Sequence, residues 1–195
     1  MNNSSENLSK SIKIALLGAI GAILMFMELP IIPLFPWLKL DFSELPVLLG
    51  AFGFGPIAGV IIEIIKLVIR TIYTGTTTGY VGELANFIMG IAFVLPAAFI
   101  YHRRKSKKTA IVGMVVGTLI MEVVAILTNI YVLLPLYGMP MVGGEALKYV
   151  ALGLIPLNTI KAVSVSFLTY FLYKKLSVAL FKVDPKLEIR KKIQE

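Results

Sequence analysis

At 195 residues the chain is long enough for one substantial domain, yet 57% of it is hydrophobic and 15% charged, with a mean hydropathy of +0.86. A water-soluble globule could not hide so much apolar surface. The formal charge of +8 does not point to nucleic acid either. Lys10, Lys13, Arg103, Arg104, Lys105, Lys107, Lys108, Lys174, Lys175, Lys182, Lys186, Arg190, Lys191 and Lys192 all flank apolar segments, as membrane orientation requires. No zinc finger, phosphate loop or basic recognition helix accompanies them. The class expected is all-α, a polytopic membrane protein.

In chain order, residues 1–9 read as a polar, frayed start, and 11–29 as a first membrane helix without a small-residue cleavage site, hence retained structure. Ala15, Gly18, Ala19, Gly21 and Ala22 smooth its surface, and in lipid such residues let another helix approach closely. Pro30, Pro33 and Pro36 preclude an uninterrupted helix over 30–40. A short helix at 45–52 breaks at Gly53-Phe54-Gly55-Pro56, and a longer one runs from Pro56 to residue 73 with proline in its first turn. After a threonine-rich loop at 75–79, helices are expected at 81–101, at 109–136 beyond the basic run 103–108, and at 145–173, the last distorted near Pro156. The whole is one membrane domain, a six-helix bundle over about 10–178 and a basic tail at 179–195. Placing both termini in the cytoplasm puts the basic loop and tail inside, as the distribution of lysine and arginine demands.

Polar residues within these helices need shelter from hydrocarbon. Glu63, Lys66 and Arg70 share one helix face, either as a charge ladder reaching the outer headgroups or in contact with a solute or partner. Glu83 and Asn86 lie one turn apart, as do Asn158 and Lys161. The latter pair sets an amide that donates and accepts beside a cation; it either lines a site for a polar, uncharged ligand or bonds between helices. Asn129 is open to the same two readings. His102, beside the basic loop, reads as an interfacial side chain. With one histidine and no cysteine, and with carboxylates at no metal-ligand spacing, neither a metal site nor a catalytic set is expected.

Three stretches carry a family resemblance: LFPWLKLDFSELP at 34–46, GFGPIAG at 53–59 and GYVGELANF at 79–87. In this order, with the six-helix layout, they resemble the riboflavin-specific substrate-binding component of the energy-coupling factor (ECF) vitamin transporters of prokaryotes. The resemblance implies a subunit of the cell membrane that captures riboflavin with high affinity from outside. ATP hydrolysis would come from two cytosolic ATPase subunits, joined through a transmembrane coupling subunit, the T component. It implies no cofactor, riboflavin being the transported ligand, with membrane lipid as a further partner and no nucleic acid.

The same resemblance implies that the loop at 30–42 covers the vitamin and that polar residues of the later helices hold it, matched here by Asn129, Asn158 and Lys161. Leu40, Asp41, Phe42, Tyr80 and Asn86 complete the expected ligand-binding set: Leu40, Phe42 and Tyr80 as walls for the flat ring, Asn86 with Asn158 and Lys161 for the ribityl chain. Ala15 and Ala19, with Gly18 and Ala22 beside them, are the expected contact with the coupling subunit. From residue chemistry alone, two other classes stay open: an integral membrane enzyme acting on a lipid or isoprenoid, and a structural membrane subunit without a ligand pocket.

Overall fold

A computed structural model describes residues 3–181. It contains six helices: α1 Asn3–Phe26, α2 Glu44–Phe54, α3 Pro56–Thr74, α4 Val81–Arg103, α5 and α6. Helix α5 runs Lys107–Thr128, passes through a π-helical turn Asn129–Leu133 and ends as Leu134–Leu136. Helix α6 starts as Gly143–Tyr149, passes through a second π turn, Val150–Leu154, and continues as Ile155–Phe181. Of the tail expected at 179–195, residues 182–195 lie outside the described residues.

Local chemistry explains most boundaries. Gly55 at φ 108° separates α2 from α3, and Pro56 opens α3, where its missing N–H costs nothing. Ser106 caps α5: its Oγ accepts from the Thr109 amide at 3.2 Å while Thr109 Oγ1 accepts from the Ser106 amide at 3.1 Å, a reciprocal capping box. The first helix differs from expectation at both ends. It already includes Asn3, because the polar start contains no breaker, and it stops at Phe26, because Pro30 and the pairing of Leu29 with Leu40 draw the chain into an extended path.

Four helices, α1, α4, α5 and α6, are long and apolar enough to cross a membrane. Helix α2 spans 11 residues, and α3 carries Glu63, Lys66 and Arg70. Both are sheltered by neighbours: α2 packs against α1, α3, α4 and α6, and α3 against α1 and α4. Val47, Leu48, Ala51 and Phe52 of α2 are fully buried beside Ile62, Phe93, Val94 and Ala97, so the core is built around the shortest helix. The outer faces show Leu16, Ile20 and Ile23 of α1, Val115, Leu119 and Val123 of α5, and Val163, Phe167 and Phe171 of α6, an apolar girdle suited to lipid.

The small-residue face of α1 divides in two. Ala15 is exposed and Ala19 half-buried, but Gly18 and Ala22 face the interior. A Cβ on Gly18 would lie 2.5 Å from Ile65 Cγ2, so this glycine serves the contact between α1 and α3. Gly18 and Ala22 are therefore not on the outer surface where an external contact was expected.

Candidate ligand-binding site

The segment 27–43 is held in shape by its own backbone. Leu29 and Leu40 exchange both N–H···O bonds at 2.8 Å, and Phe35 and Leu38 donate to the carbonyls of Ile32 and Phe35 at 3.0 and 2.9 Å. Pro30, Pro33 and Pro36 stiffen these turns. Phe35 anchors the segment to α6: its ring meets Tyr149 edge-on at 5.1 Å, in a notch at Gly153, where a Cβ would lie 2.5 Å from Phe35 Cδ2. Trp37, Leu38, Lys39 and Asp41 then line one side of a cavity of about 320 Å³, at the low end of small-molecule sites.

Below the loop lies a buried ionic cluster. Lys66 Nζ meets Glu44 Oε1 at 2.8 Å and Glu63 Oε1 at 2.7 Å, all three side chains being almost wholly buried. It also donates to Ser43 Oγ at 3.2 Å. Lys161 Nζ of α6 donates to Asp41 Oδ2 at 2.9 Å, and Asp41 Oδ1 accepts from the Ser43 amide at 2.7 Å. Gly90 of α4 makes room for the cluster, since a Cβ there would lie 2.9 Å from Glu44 Oε2 and Glu63 Oε1. The polar face of α3 thus points inward, into pairs with α2 as well as within its own helix.

Burial disfavours ionisation of Asp41, but the ammonium groups of Lys161 and Lys66 and the hydrogen bonds from Ser43 and Lys161 outweigh it. Its carboxyl is lowered from 3.8 to about 2. A folded-state value below the ordinary one means that the tie between loop and α6 contributes fully above about pH 4 and is lost as the pH falls through about 2. The fluorescence of Trp37, the single tryptophan of the chain and part of this loop, should therefore change between about pH 4 and 2 in the native chain and lose that change in Asp41→Asn. A flat profile in the native chain would contradict this account.

A second cluster rims the cavity. Arg70 donates to Glu83 Oε1 at 2.9 Å and to Glu28 Oε1 at 3.4 Å, and Lys39 donates to Glu28 at 2.6 Å. Glu83 Oε2 accepts from Thr76 and Thr78, each at 3.2 Å. These bonds join the loop, α3 and the start of α4 into one rim.

Three amides line the cavity. Asn86 donates to the Gly82 carbonyl at 3.0 Å. Asn129, at the start of the first π turn, donates to the Ala125 carbonyl and accepts from the Tyr149 hydroxyl, both at 2.9 Å. Asn158 is buried and its side chain approaches the Glu122 carboxyl of α5, while among the described residues its Nδ2 makes no hydrogen bond of ordinary geometry, and such groups are costly to leave unpaired. Apolar and aromatic walls come from Trp37, Met89, Phe93, Leu134, Tyr137 and Leu157. Among the described residues, no three His, Asp or Glu side chains are grouped to hold a metal.

Of the expected ligand-binding residues, Asp41, Asn86, Asn129, Asn158 and Lys161 meet at this cavity; Leu40, Phe42 and Tyr80 do not line it. Leu40 is committed to the bridge with Leu29, Phe42, two positions on, is exposed, and Tyr80 takes left-handed backbone at φ 69° and stays 63% exposed. Trp37, Met89, Tyr137 and Tyr149 were not singled out as ligand-binding residues. Only Trp37 carried a sequence signal, its place in the proline-rich loop. His102 spans to α2, its Nε2 lying 2.9 Å from the Ala51 carbonyl oxygen.

Comparison with known proteins agrees with this architecture. A family model described as the substrate-specific component of the ECF transporter matches residues 9–173. The chain is 37% identical over 179 residues to the riboflavin transporter RibU of Staphylococcus aureus (strain TCH60), covering 90% of this chain and 93% of that protein. It is 34% identical over 173 residues to the riboflavin transporter FmnP of Bacillus subtilis (strain 168), covering 86% and 91%. A solved structure of the S component of a bacterial ECF transporter superposes with a TM-score of 0.77 at 37% identity, covering 89% of this chain and 98% of that one. With its six-helix bundle and its family match over nearly the whole described chain, the protein belongs to the substrate-specific components of the ECF transporters.

Proposed function

We propose that this chain captures riboflavin outside the cell and hands it to an ATP-driven importer. The observation that carries the reading is the loop-covered cavity where Asn86, Asn129, Asn158 and Lys161 converge among apolar and aromatic walls. An isoalloxazine ring needs flat apolar walls with a few directed hydrogen bonds, and a ribityl chain needs partners for its hydroxyls. The names of the Staphylococcus and Bacillus relatives support the same ligand. Family membership sets aside the alternative of a lipid-modifying enzyme. Protein purified in detergent should quench riboflavin fluorescence to saturation at one vitamin per chain; protein that quenches none would overturn the reading.

The energy source is external to this chain, a transmembrane coupling subunit with two cytosolic ATPases, and both termini face the cytoplasm in accord with the lysine and arginine distribution. The outward residues Ala15 and Ala19 of α1 are the contact for the coupling subunit, because small side chains allow close helix approach. Replacing both by leucine should reduce co-purification with the coupling subunit and leave riboflavin titration unchanged. Undiminished co-purification would move the contact to another helix.

A further inference from the structure

Tyr149 is 1% exposed and lines the cavity, yet its hydroxyl points at a side chain and not at open space. It lies 2.9 Å from Asn129 Oδ1, while Asn129 Nδ2 lies 2.9 Å from the Ala125 carbonyl oxygen. A carbonyl can only accept, so the amide nitrogen must face Ala125. The amide oxygen then faces Tyr149, and the tyrosine is the donor. An asparagine side chain has two N–H donors and one carbonyl oxygen. Here the oxygen is capped by the phenol and one N–H is spent on the backbone, which leaves the second N–H to meet a ligand.

The surroundings hold this arrangement and indicate which part of a ligand it meets. Phe35, Ala125, Leu134, Tyr149 and Leu154 form one buried apolar cluster around the amide. Phe35 presses edge-on against the tyrosine ring at 5.1 Å, so the loop over the cavity fixes the residue that fixes the amide. Apolar walls beside one directed donor suit a flat heteroaromatic edge better than a chain of hydroxyls.

We propose that Tyr149 is a positioning residue that locks the Asn129 amide as a hydrogen-bond donor to an acceptor on the isoalloxazine ring. The proposal rests on the riboflavin reading above. With the amide free to turn, its oxygen and nitrogen would exchange places, and an edge bearing a donor would be held as well as one bearing an acceptor. The phenol removes that freedom, and selectivity arises because a mismatched edge leaves a buried polar group unpaired.

Fluorescence titration with riboflavin of the native chain, Tyr149→Phe, Asn129→Ala and the double variant tests the idea, each protein first being checked for monodisperse elution. Tyr149→Phe keeps the ring against Phe35 and should bind about 10-fold more weakly. The double variant should bind no more weakly than Asn129→Ala, because the phenol acts through the amide. Native affinity in Tyr149→Phe, or losses that multiply in the double variant, would overturn the proposal. Asn129→Asp provides a test independent of the Tyr149 variants: it keeps an acceptor for Tyr149 but deletes both amide N–H groups, the one bonded to the Ala125 carbonyl as well as the one left for the vitamin, so the monodisperse variant should lose riboflavin, and retained binding would overturn the proposal. A native chain that binds no riboflavin defeats the functional reading itself, whereas a binding native chain with these outcomes reversed defeats the tyrosine's role alone.

Discussion

Replacing Lys66 by methionine should destabilise the folded protein by about 3 to 5 kcal/mol, because breaking a buried ion pair from one side leaves charge without compensation. The Nζ group is fully buried and lies within 2.8 Å of Glu44 and 2.7 Å of Glu63. Methionine keeps the unbranched stem that packs against Gly21 of α1, so the loss would be mainly electrostatic. In the inner cluster three carboxyl groups, Asp41, Glu44 and Glu63, face two ammonium groups, Lys66 and Lys161. After the substitution they face one. Thermal unfolding in detergent should shift down by roughly 6 to 20 °C, and adding Glu63→Gln should recover part of it. A melting temperature unchanged by Lys66→Met would mean that water or a proton carries the compensation assigned here to lysine.

The second large effect concerns the ligand. Asn158→Ala with Lys161→Met should weaken riboflavin capture by about 5- to 150-fold, corresponding to roughly 1 to 3 kcal/mol of lost hydrogen bonding. The two heads lie one helical turn apart on α6 and both line the cavity. Lys161 also holds Asp41 at 2.9 Å, so part of the loss would come through the covering loop; Asn158→Ala alone isolates the amide. Leu133→Ala, equally buried but not lining the cavity, is the control for general loosening of the bundle. Affinity reduced as much by the control as by the double variant would remove Asn158 and Lys161 from the binding account.

Much of this protein was legible because membrane helices announce themselves by length and polarity, and because Pro56, Gly55 and the basic run at 103–108 punctuate the chain. Asn86, Asn129, Asn158 and Lys161 stood out by the same logic, as polar groups that hydrocarbon would penalise, whereas Asp41, in the loop, is pointed to by the family resemblance. Legibility ended where backbone geometry decides orientation. Leu40 and Phe42 look equivalent to Leu38 as apolar loop residues, but the bridge from Leu29 to Leu40 turns them away from the cavity while Leu38 faces it. The left-handed backbone at Tyr80 likewise depends on local turn geometry. On α1, a spacing of four marks both the Ala15 and the Gly18 pair, and the position of α3 decides which one remains outside.

The two π turns begin immediately downstream of, or at, residues that line the cavity: Asn129 starts one and Tyr149 precedes the other. In a regular α-helix five residues advance about 140° beyond a full turn, so positions that far apart look in different directions. Yet Asn129 and Leu134 both line the cavity, and so do Tyr149 and Leu154, because the wider turn absorbs one extra residue. Pro135 and Pro156 each follow a turn by two positions, where a widened backbone relieves the clash a proline ring makes with the carbonyl four residues earlier. Chain length through these ten residues is thus a structural quantity in its own right. Deleting a single residue from either turn would restore a regular α-turn in which the two cavity-lining positions stand four apart, about 40° past a full turn, and still share a face, whereas inserting one more residue would rotate everything downstream by about 100° and carry Leu134 or the pair Asn158 and Lys161 off it.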